Sequence, residues 1–337
     1  MKKELKIGVI GAGRIGKLHA SNLASRVPGA RLVAVSDVNK KYAEELDASL
    51  GIPAVYDNYA DLLADPNVDA VFICSSTDTH SEISMAAAKA GKHIFCEKPI
   101  DHDIKKIKSV LDAVEKSGVR YQVGFNRRFD RNFRRVKEAV KKGELGQVRV
   151  IKITSRDPAP PPVEYIKVSG GIYADMTIHD FDMMRYLSGS EVTEVSAVGT
   201  CLVDPAIGKA GDVDTCVITL RFANGTLGVI DNCRQSSYGY DQRVEVFGSK
   251  GQIIADNETA NNTVVYSEKG VNREKPLHFF LERYNDAYIL EAKEFVDACL
   301  KRKNPPVGAF DGLQPVLIAL AAQESSDKGG VPVKVKS

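Results

Sequence analysis

Over residues 1–124, short apolar runs alternate with stretches whose apolar positions recur at helical spacing. Runs at 5–10, 31–36, 70–74, 93–96 and 120–124 predict strands. Helical spacing over 15–27, 39–50, 79–90 and 104–117 predicts the helices between them. Gly51 and Pro53 stop the second helix and Gly91 the third. Such alternation builds a doubly wound parallel sheet with helices on both faces and right-handed crossovers. Beyond Gly124 the pattern changes. A helix at 129–142 and a strand at 148–155 precede a proline-rich loop at 157–162, and a helix follows at 173–187. Strand-like runs then come at 191–203, 213–222, 226–234, 242–248 and 251–255 without helices between them, and Asn224-Gly225 and Gly248-Ser249 mark turns. Helices near 280–302 and 310–326 close the chain. The expected fold is α/β: a nucleotide-binding domain over 1–124, then an α+β domain over 125–337 with a large, mostly antiparallel open sheet. Helices on one side of that sheet leave its other face to be buried, which predicts a homo-oligomer.

Composition narrows the function classes. The chain has 337 residues, 43% hydrophobic and 27% charged, with a formal net charge of +2. That balance gives no reason to expect nucleic acid or an acidic membrane as partner. No apolar run approaches the roughly 20 residues that span a bilayer, and the N-terminus leads straight into a strand without room for a signal peptide. Six cysteines at 74, 96, 201, 216, 233 and 299 form no C-x-x-C pair. A reduced, cytoplasmic protein with no structural zinc is expected.

The cofactor chemistry is written in Gly11-Ala12-Gly13-Arg14-Ile15-Gly16, a G-x-G-x-x-G that leaves a strand and opens a helix. Gly11 permits the turn, Gly13 lets a pyrophosphate approach, and Gly16 lets helix and strand pack. The helix N-terminus, from Arg14 and Ile15 on, then faces the phosphates. Asp37 ends the second strand where a ribose-binding acid belongs. It favours NAD and repels the extra phosphate of NADP, although Lys40 and Lys41 partly offset that repulsion and keep NADP open as the weaker alternative. Asp37 also fits a helix N-cap. Ser75, Ser76, Thr77 and His80, leaving the third clear strand, and Glu97, ending the next, lie at the same sheet edge and are expected on the cofactor. Thr79 reads better as a helix cap. This is the pattern of a Rossmann domain.

Lys98, in Glu97-Lys98-Pro99, is expected to point into the cleft between domains and to stabilise negative charge on a substrate oxygen; the plain alternative is a surface lysine. The Lys98–Pro99 bond tolerates the cis isomer. Asp175 and His179, four apart, share one face of the 173–187 helix. A neutral imidazole takes the hydroxyl proton as hydride leaves an alcohol, and Asp175 orients the ring. A core histidine and a metal site of Asp175, His179 and Asp180 are the competing readings, and no metal is expected. The run from Asn126 through Arg127, Arg128 and Arg131 to Arg135 reads mainly as a solvated helix face whose start touches substrate.

Together, G-A-G-R-I-G at 11–16, C-E-K-P at 96–99 and G-G-I-Y-A-D-M-T-I-H-D-F-D at 170–182 resemble the glucose–fructose oxidoreductase / inositol dehydrogenase / rhizopine-catabolism family over essentially the whole chain. The resemblance implies that Lys98, Asp175 and His179 form a catalytic triad. The runs at 124–130, 156–162 and 179–183 are most similar to its inositol dehydrogenases. That implies NAD-dependent oxidation of a ring hydroxyl of myo-inositol, with Asn126, Arg127, Asp157, Tyr238 and Tyr284 among the substrate contacts, and a homotetramer formed through the large sheet. Asn126 stands where members often carry methionine. The same chemistry on scyllo-inositol, a pyranose or a sugar-linked nucleotide stays open. So do a non-catalytic NAD-binding regulator and an enzyme that uses tightly held NAD without net redox change.

Overall fold

A computed structural model describes residues 3–336. The chain forms two compact units: the described residues of Met1–Phe129 with Asp286–Val316, and those of Asp130–Asn285 and Leu317–Ser337. The expected single boundary at 124/125 lies just before the first crossing and leaves out the return of 286–316.

In the first unit the elements run β1 (Leu5–Ile10), α1 (Arg14–Ser25), β2 (Ala30–Ser36), α2 (Lys40–Leu50), β3 (Ala54–Tyr56), α3 (Tyr59–Ala64), β4 (Ala70–Ile73), α4 (Thr77–Lys89), β5 (His93–Glu97), α5 (Ile104–Ser117) and β6 (Tyr121–Gly124). A 3-10 turn follows at Asn126–Phe129. The strands form one parallel sheet in the order β3-β2-β1-β4-β5-β6. Every residue of β4 is buried, as both-face coverage demands of a parallel strand. The chain winds one way from β1 to β3 and the other way from β4 to β6. The reversal leaves a crevice at the carboxyl edge, where Ile10, Ser36, Ile73, Glu97 and Gly124 end their strands. The returning segment belongs here because of α12 (Asn285–Leu300). Its Phe295 meets Phe72 of β4 at 5.5 Å and Phe95 of β5 at 6.0 Å, both edge-on, while those two rings stack at 4.4 Å.

The second unit starts with α6 (Arg131–Lys141) and β7 (Val148–Arg156), then α7 (Val163–Ser169), α8 (Gly171–Asp175) and α9 (Ile178–Ser188). It continues through β8 (Val192–Thr200), α10 (Pro205–Lys209), β9 (Thr215–Phe222), β10 (Leu227–Cys233), β11 (Asp241–Gly248), β12 (Gln252–Ala255), the hairpin β13 (Val264–Ser267) and β14 (Gly270–Arg273), and α11 (Phe280–Arg283). The chain ends in α13 (Ala309–Asp327) and β15 (Val333–Lys334). Seven strands pair in the order β12-β11-β7-β10-β9-β8-β15, antiparallel except for β7 with β10. Strand alternation gives this sheet two different faces. Ile151, Ile153, Ile218, Leu220, Ile230, Val244 and Val246 are buried on one. There α9 presses so close that a Cβ on Gly228 would come within 3.2 Å of Met184 Sδ. The other face exposes Val198, Val217, Leu227, Phe247 and Ile254.

Candidate active site

The candidate nucleotide site is the carboxyl edge of the first unit. Gly11 has φ +96°, and a Cβ there would sit 2.6 Å from the Cys74 carbonyl. A Cβ on Gly16 would come within 1.9 Å of Gly11 O. Both glycines are therefore required by the protein's own packing. Gly13 differs, because a Cβ there would meet nothing within 4 Å among the described residues. Its bareness serves an incoming group. Gly13 is the N-cap of α1 and no side chain caps that helix, so its first-turn N–H groups are left for an anion, with Arg14 exposed beside them and Ile15 half-buried. Asp37 lies across the turn. Its Oδ2 accepts from the Ala12 N–H at 2.7 Å and its Oδ1 from the Asn39 N–H at 2.8 Å. The N-cap of α2 is Asn39, so Asp37 is not the helix cap. This carboxylate, an uncapped helix and an open Gly13 together fit the adenosine ribose and pyrophosphate of a dinucleotide.

Ser75 and Ser76 form the turn after β4, and Thr77 opens α4. The Ser75 and Thr79 hydroxyls are 2.7 Å apart, and Thr79 also donates to Ser76 O at 2.8 Å, a local bond at the helix start. Two residues expected on the cofactor also have buried partners within the protein. His80 is buried with both ring nitrogens on backbone carbonyls, Nδ1 on Pro99 O and Nε2 on Ser75 O. Glu97 is buried with Oε1 2.7 Å from His19 Nε2. At both positions a polar partner within reach is protein. Glu97 belongs to a buried group with His19 and Glu291 of α12, whose ligand atoms all lie within 4.8 Å of one another. It is the one potential metal-ligating group of three among the described residues, and it does not include His179. Burial, and then the charge of Glu97, push the Glu291 carboxyl well above the ordinary range. Lys98 follows, half-buried, and its bond to Pro99 is cis. Asn126 and Arg127 are buried in the 3-10 turn, and Arg128 pairs with Asp311 at 2.9 Å. The arginine run is thus a solvated face only at positions such as Arg131 and Arg135.

A separate cluster is built on α8 and α9 of the second unit. The single helix expected over 173–187 is two. The Thr177 N–H reaches back to Ile172 O, while His179 N–H reaches only to Met176 O, so the ladder slips at Met176–Thr177. Thr177 and Met176 stay in right-handed helical conformation, so His179 still follows Asp175 by about one turn. The Thr177 hydroxyl donates to Asn232 Oδ1 at 2.5 Å, anchoring the break to β10. Asp175 accepts from the Tyr165 hydroxyl at 2.8 Å and from Arg234 Nη1 at 3.3 Å. The Arg234 side chain is 1% exposed and also reaches Asp212 at 3.4 Å. Asp212 in turn accepts from the Ile172 N–H at 2.9 Å, at the start of α8. A buried guanidinium demands counter-charge, and its bond to Asp175 holds that side chain in a fixed direction. Behind His179, Asp180 is fully buried and takes Ser155 Oγ at 2.7 Å and Asn232 Nδ2 at 2.9 Å. The sequence reading missed Arg234, Asp212 and Tyr165. Its one available signal was Asn232 and Arg234, polar residues at the core-facing parity of β10.

The remaining expected substrate contacts separate. Asp157 is half-buried just past β7, with its N–H on Cys233 O. Tyr284 is buried, and its hydroxyl meets Gln242 Oε1 at 3.3 Å in the polar layer beneath α9. Tyr238 pairs with charged neighbours. Its hydroxyl donates to Asp241 Oδ2 at 2.6 Å and accepts from Arg156 at 3.0 Å. By strand alternation Arg156 and Asp241 lie on the face opposite Ser155 and Gln242, and so opposite α9. Tyr238 therefore belongs to an ion network on the outer face.

Known proteins carry this arrangement. Residues 5–125 match the oxidoreductase family model with an NAD-binding Rossmann fold, and residues 133–254 match the GFO/IDH/MocA C-terminal domain. A myo-inositol 2-dehydrogenase of Thermotoga maritima is 52% identical over 96% of this chain and 97% of its own. A scyllo-inositol 2-dehydrogenase (NAD(+)) of Bacillus subtilis is 37% identical over 99% and 97%. A crystal structure of scyllo-inositol dehydrogenase from Lactobacillus casei with bound NAD(H) and scyllo-inositol superposes with TM-score 0.93 at 33% identity, over 99% of this chain and 100% of that one. The glycine turn with Asp37 and the α8–α9 pair thus sit in a full-length match, and the chain belongs to the GFO/IDH/MocA family of NAD-binding oxidoreductases.

Proposed function

We propose that this protein is an NAD-dependent inositol 2-dehydrogenase that oxidises a ring hydroxyl of myo-inositol to the keto-inositol. The observation that carries the chemistry is the Arg234-fixed carboxylate of Asp175 one turn before His179. The substrate rests on the full-length similarity to a myo-inositol 2-dehydrogenase. Bound NAD supplies the acceptor for the hydride. His179 takes the hydroxyl proton as general base. Lys98 hydrogen-bonds the same oxygen and stabilises its developing negative charge. Asp175 orients His179 and offsets the imidazolium charge. The step balances: one C–H bond breaks as hydride, one O–H bond breaks as a proton to His179, and a ketone forms. Asn126, Arg127 and Asp157 are proposed to contact the remaining ring hydroxyls. Tyr284, buried beneath α9, is proposed to contact them too. The nucleotide domain is proposed to end at 124 in function, the rest of the chain carrying substrate binding and assembly.

The protein is proposed to work as a cytoplasmic homotetramer. Its six cysteines are all unpaired, and no described helix is long and apolar enough to cross a membrane. The same chemistry on scyllo-inositol is the second reading, favoured by the relatives that carry that name.

The test is NADH formation by the purified protein with myo-, scyllo- and D-chiro-inositol, glucose, xylose and galactose. Turnover is expected to be strongest with myo-inositol. Preference for scyllo-inositol keeps the mechanism and changes the substrate. Silence across the panel with NAD still bound rejects the proposal. His179→Ala should lower kcat by roughly 100-fold or more while leaving NAD affinity little changed. Near-normal turnover removes His179 from the base role.

A further inference from the structure

His80 lies in the first turns of α4, 2% exposed, between two pieces of the carboxyl edge. Its Nδ1 is 2.8 Å from the carbonyl oxygen of Pro99, and its Nε2 is 3.1 Å from that of Ser75. A carbonyl oxygen only accepts. A neutral imidazole carries one N–H and one bare lone pair. Either neutral tautomer would therefore set a nitrogen lone pair against a carbonyl lone pair, in a place with almost no water to relieve it. The imidazolium alone donates to both.

We propose that His80 is held as an imidazolium that donates to the Ser75 and Pro99 carbonyls at once, a charged positioning residue that couples the cofactor-side turn to the turn carrying Lys98. The functional consequence rests on the reading of this edge as the NAD site; the protonation state does not. Burial opposes the charge. The Cys96 sulfur beside the ring and the two carbonyls outweigh it, and the pKa rises from 6.5 to about 9. Cys96 is the group facing the ring from β5. Tyr121 of β6 lies beyond Cys96, bonded to Ser84 of α4. One residue on from His80, Ser81 bonds Asp101, which also pairs with Lys106. The sign follows from a raised value. The stability the bridge contributes is fully present below about pH 6.5, and the bridge itself is lost as pH rises through about 9.

Two measurements on the full-length protein test this. Neutron diffraction from a crystal grown near neutral pH without NAD should show deuterium on both ring nitrogens of His80. Deuterium on one alone overturns the proposal, whatever NAD does. Calorimetric titration with NAD from about pH 7 to about pH 10 should show affinity steady at first, then falling toward tenfold per pH unit above about 9, since only the charged form is competent. His80→Gln, whose single amide nitrogen cannot reach both carbonyls, should bind NAD more weakly near neutral pH and lose that alkaline limb. A flat wild-type profile, or a limb that persists in His80→Gln, overturns the coupling. If His80→Gln does not fold, the wild-type profile and the neutron map decide. Failure of the wild type to bind NAD at any pH would instead overturn the NAD reading and the coupling built on it, and the neutron result would still judge the charged bridge.

Discussion

Asp37 shows what a single residue type at a strand end can and cannot announce. Its position after β2 is legible because a carboxylate near the glycine turn has few other uses. Its direction is set by the Ala12 and Asn39 N–H groups, which belong to two different segments. Both oxygens are pinned, so the carboxylate meets a ribose without reorganising and repels a 2′-phosphate there. Asp37→Ser should cut the ratio of kcat/KM for NAD over NADP by about 10- to 100-fold, the worth of hydrogen bonds to a charged group. An unchanged ratio would place cofactor selectivity on another residue. Glu97, His80 and Tyr238 make the opposite case. Each has the right chemistry at the right chain position, and the structure adds partners that spacing does not show: His19, two carbonyls, or Arg156 and Asp241. One-dimensional spacing says which edge a side chain starts from, and the neighbours decide where it ends.

Among the elements, the long periodic ones were readable. Strands β8 to β12 and helices α4, α5 and α6 fall close to their expected positions. The short ones were not. Three residues of β3 and six of α3 are too few to show a period. The β13–β14 hairpin turns through Glu268-Lys269, which carry no turn signal, and most of its side chains are exposed on both faces. The slip between α8 and α9 escaped as well, because apolar spacing continues through Met176. Placing α12 in the first unit was beyond any pattern. Its Phe295, fully buried against Phe72 and Phe95, ties the end of the chain to the start. Phe295→Ala should destabilise the first unit by about 3–5 kcal/mol, read as a lower denaturant midpoint with the slope unchanged. A loss within the scatter of surface substitutions would mean that α12 contributes little to that core.

For the whole molecule, the outer face of the large sheet is the surface proposed for assembly. Val198 and Val217 are cross-strand neighbours, 59% and 52% exposed. Leu227 and Phe247 flank Val150 on the same face. The Arg156–Asp231 and Arg243–Asp241 pairs lie among them. An apolar patch with a polar surround of this kind marks an interaction surface. Light scattering after gel filtration should give about four times the 36.7 kDa chain mass. Val217→Asp should shift the mass to a smaller species while leaving the secondary structure intact. A wild type that runs as a monomer would reject the tetramer, and a tetramer untouched by Val217→Asp would move the interface elsewhere.

The sequence by itself determined the order and type of the main elements, the parallel-then-antiparallel change of architecture and the glycine turn, and it singled out Asp37, Lys98, Asp175 and His179 as candidates. These depend on local periodicity, on backbone freedom at glycine and on side-chain chemistry, all of which are written residue by residue. The tertiary structure decided which unit α12 joins, that Arg234 and Asp212 hold Asp175, that Tyr238 faces away from α9, and that His80 and Glu97 have buried partners. Those outcomes depend on partners far apart in the chain. Arg234 follows Asp175 by 59 positions and Asp212 by 22. No period along the sequence encodes such a meeting. It exists only once the sheet has set β10 beside α8 and α9, and a buried charge must then find its counter-charge there.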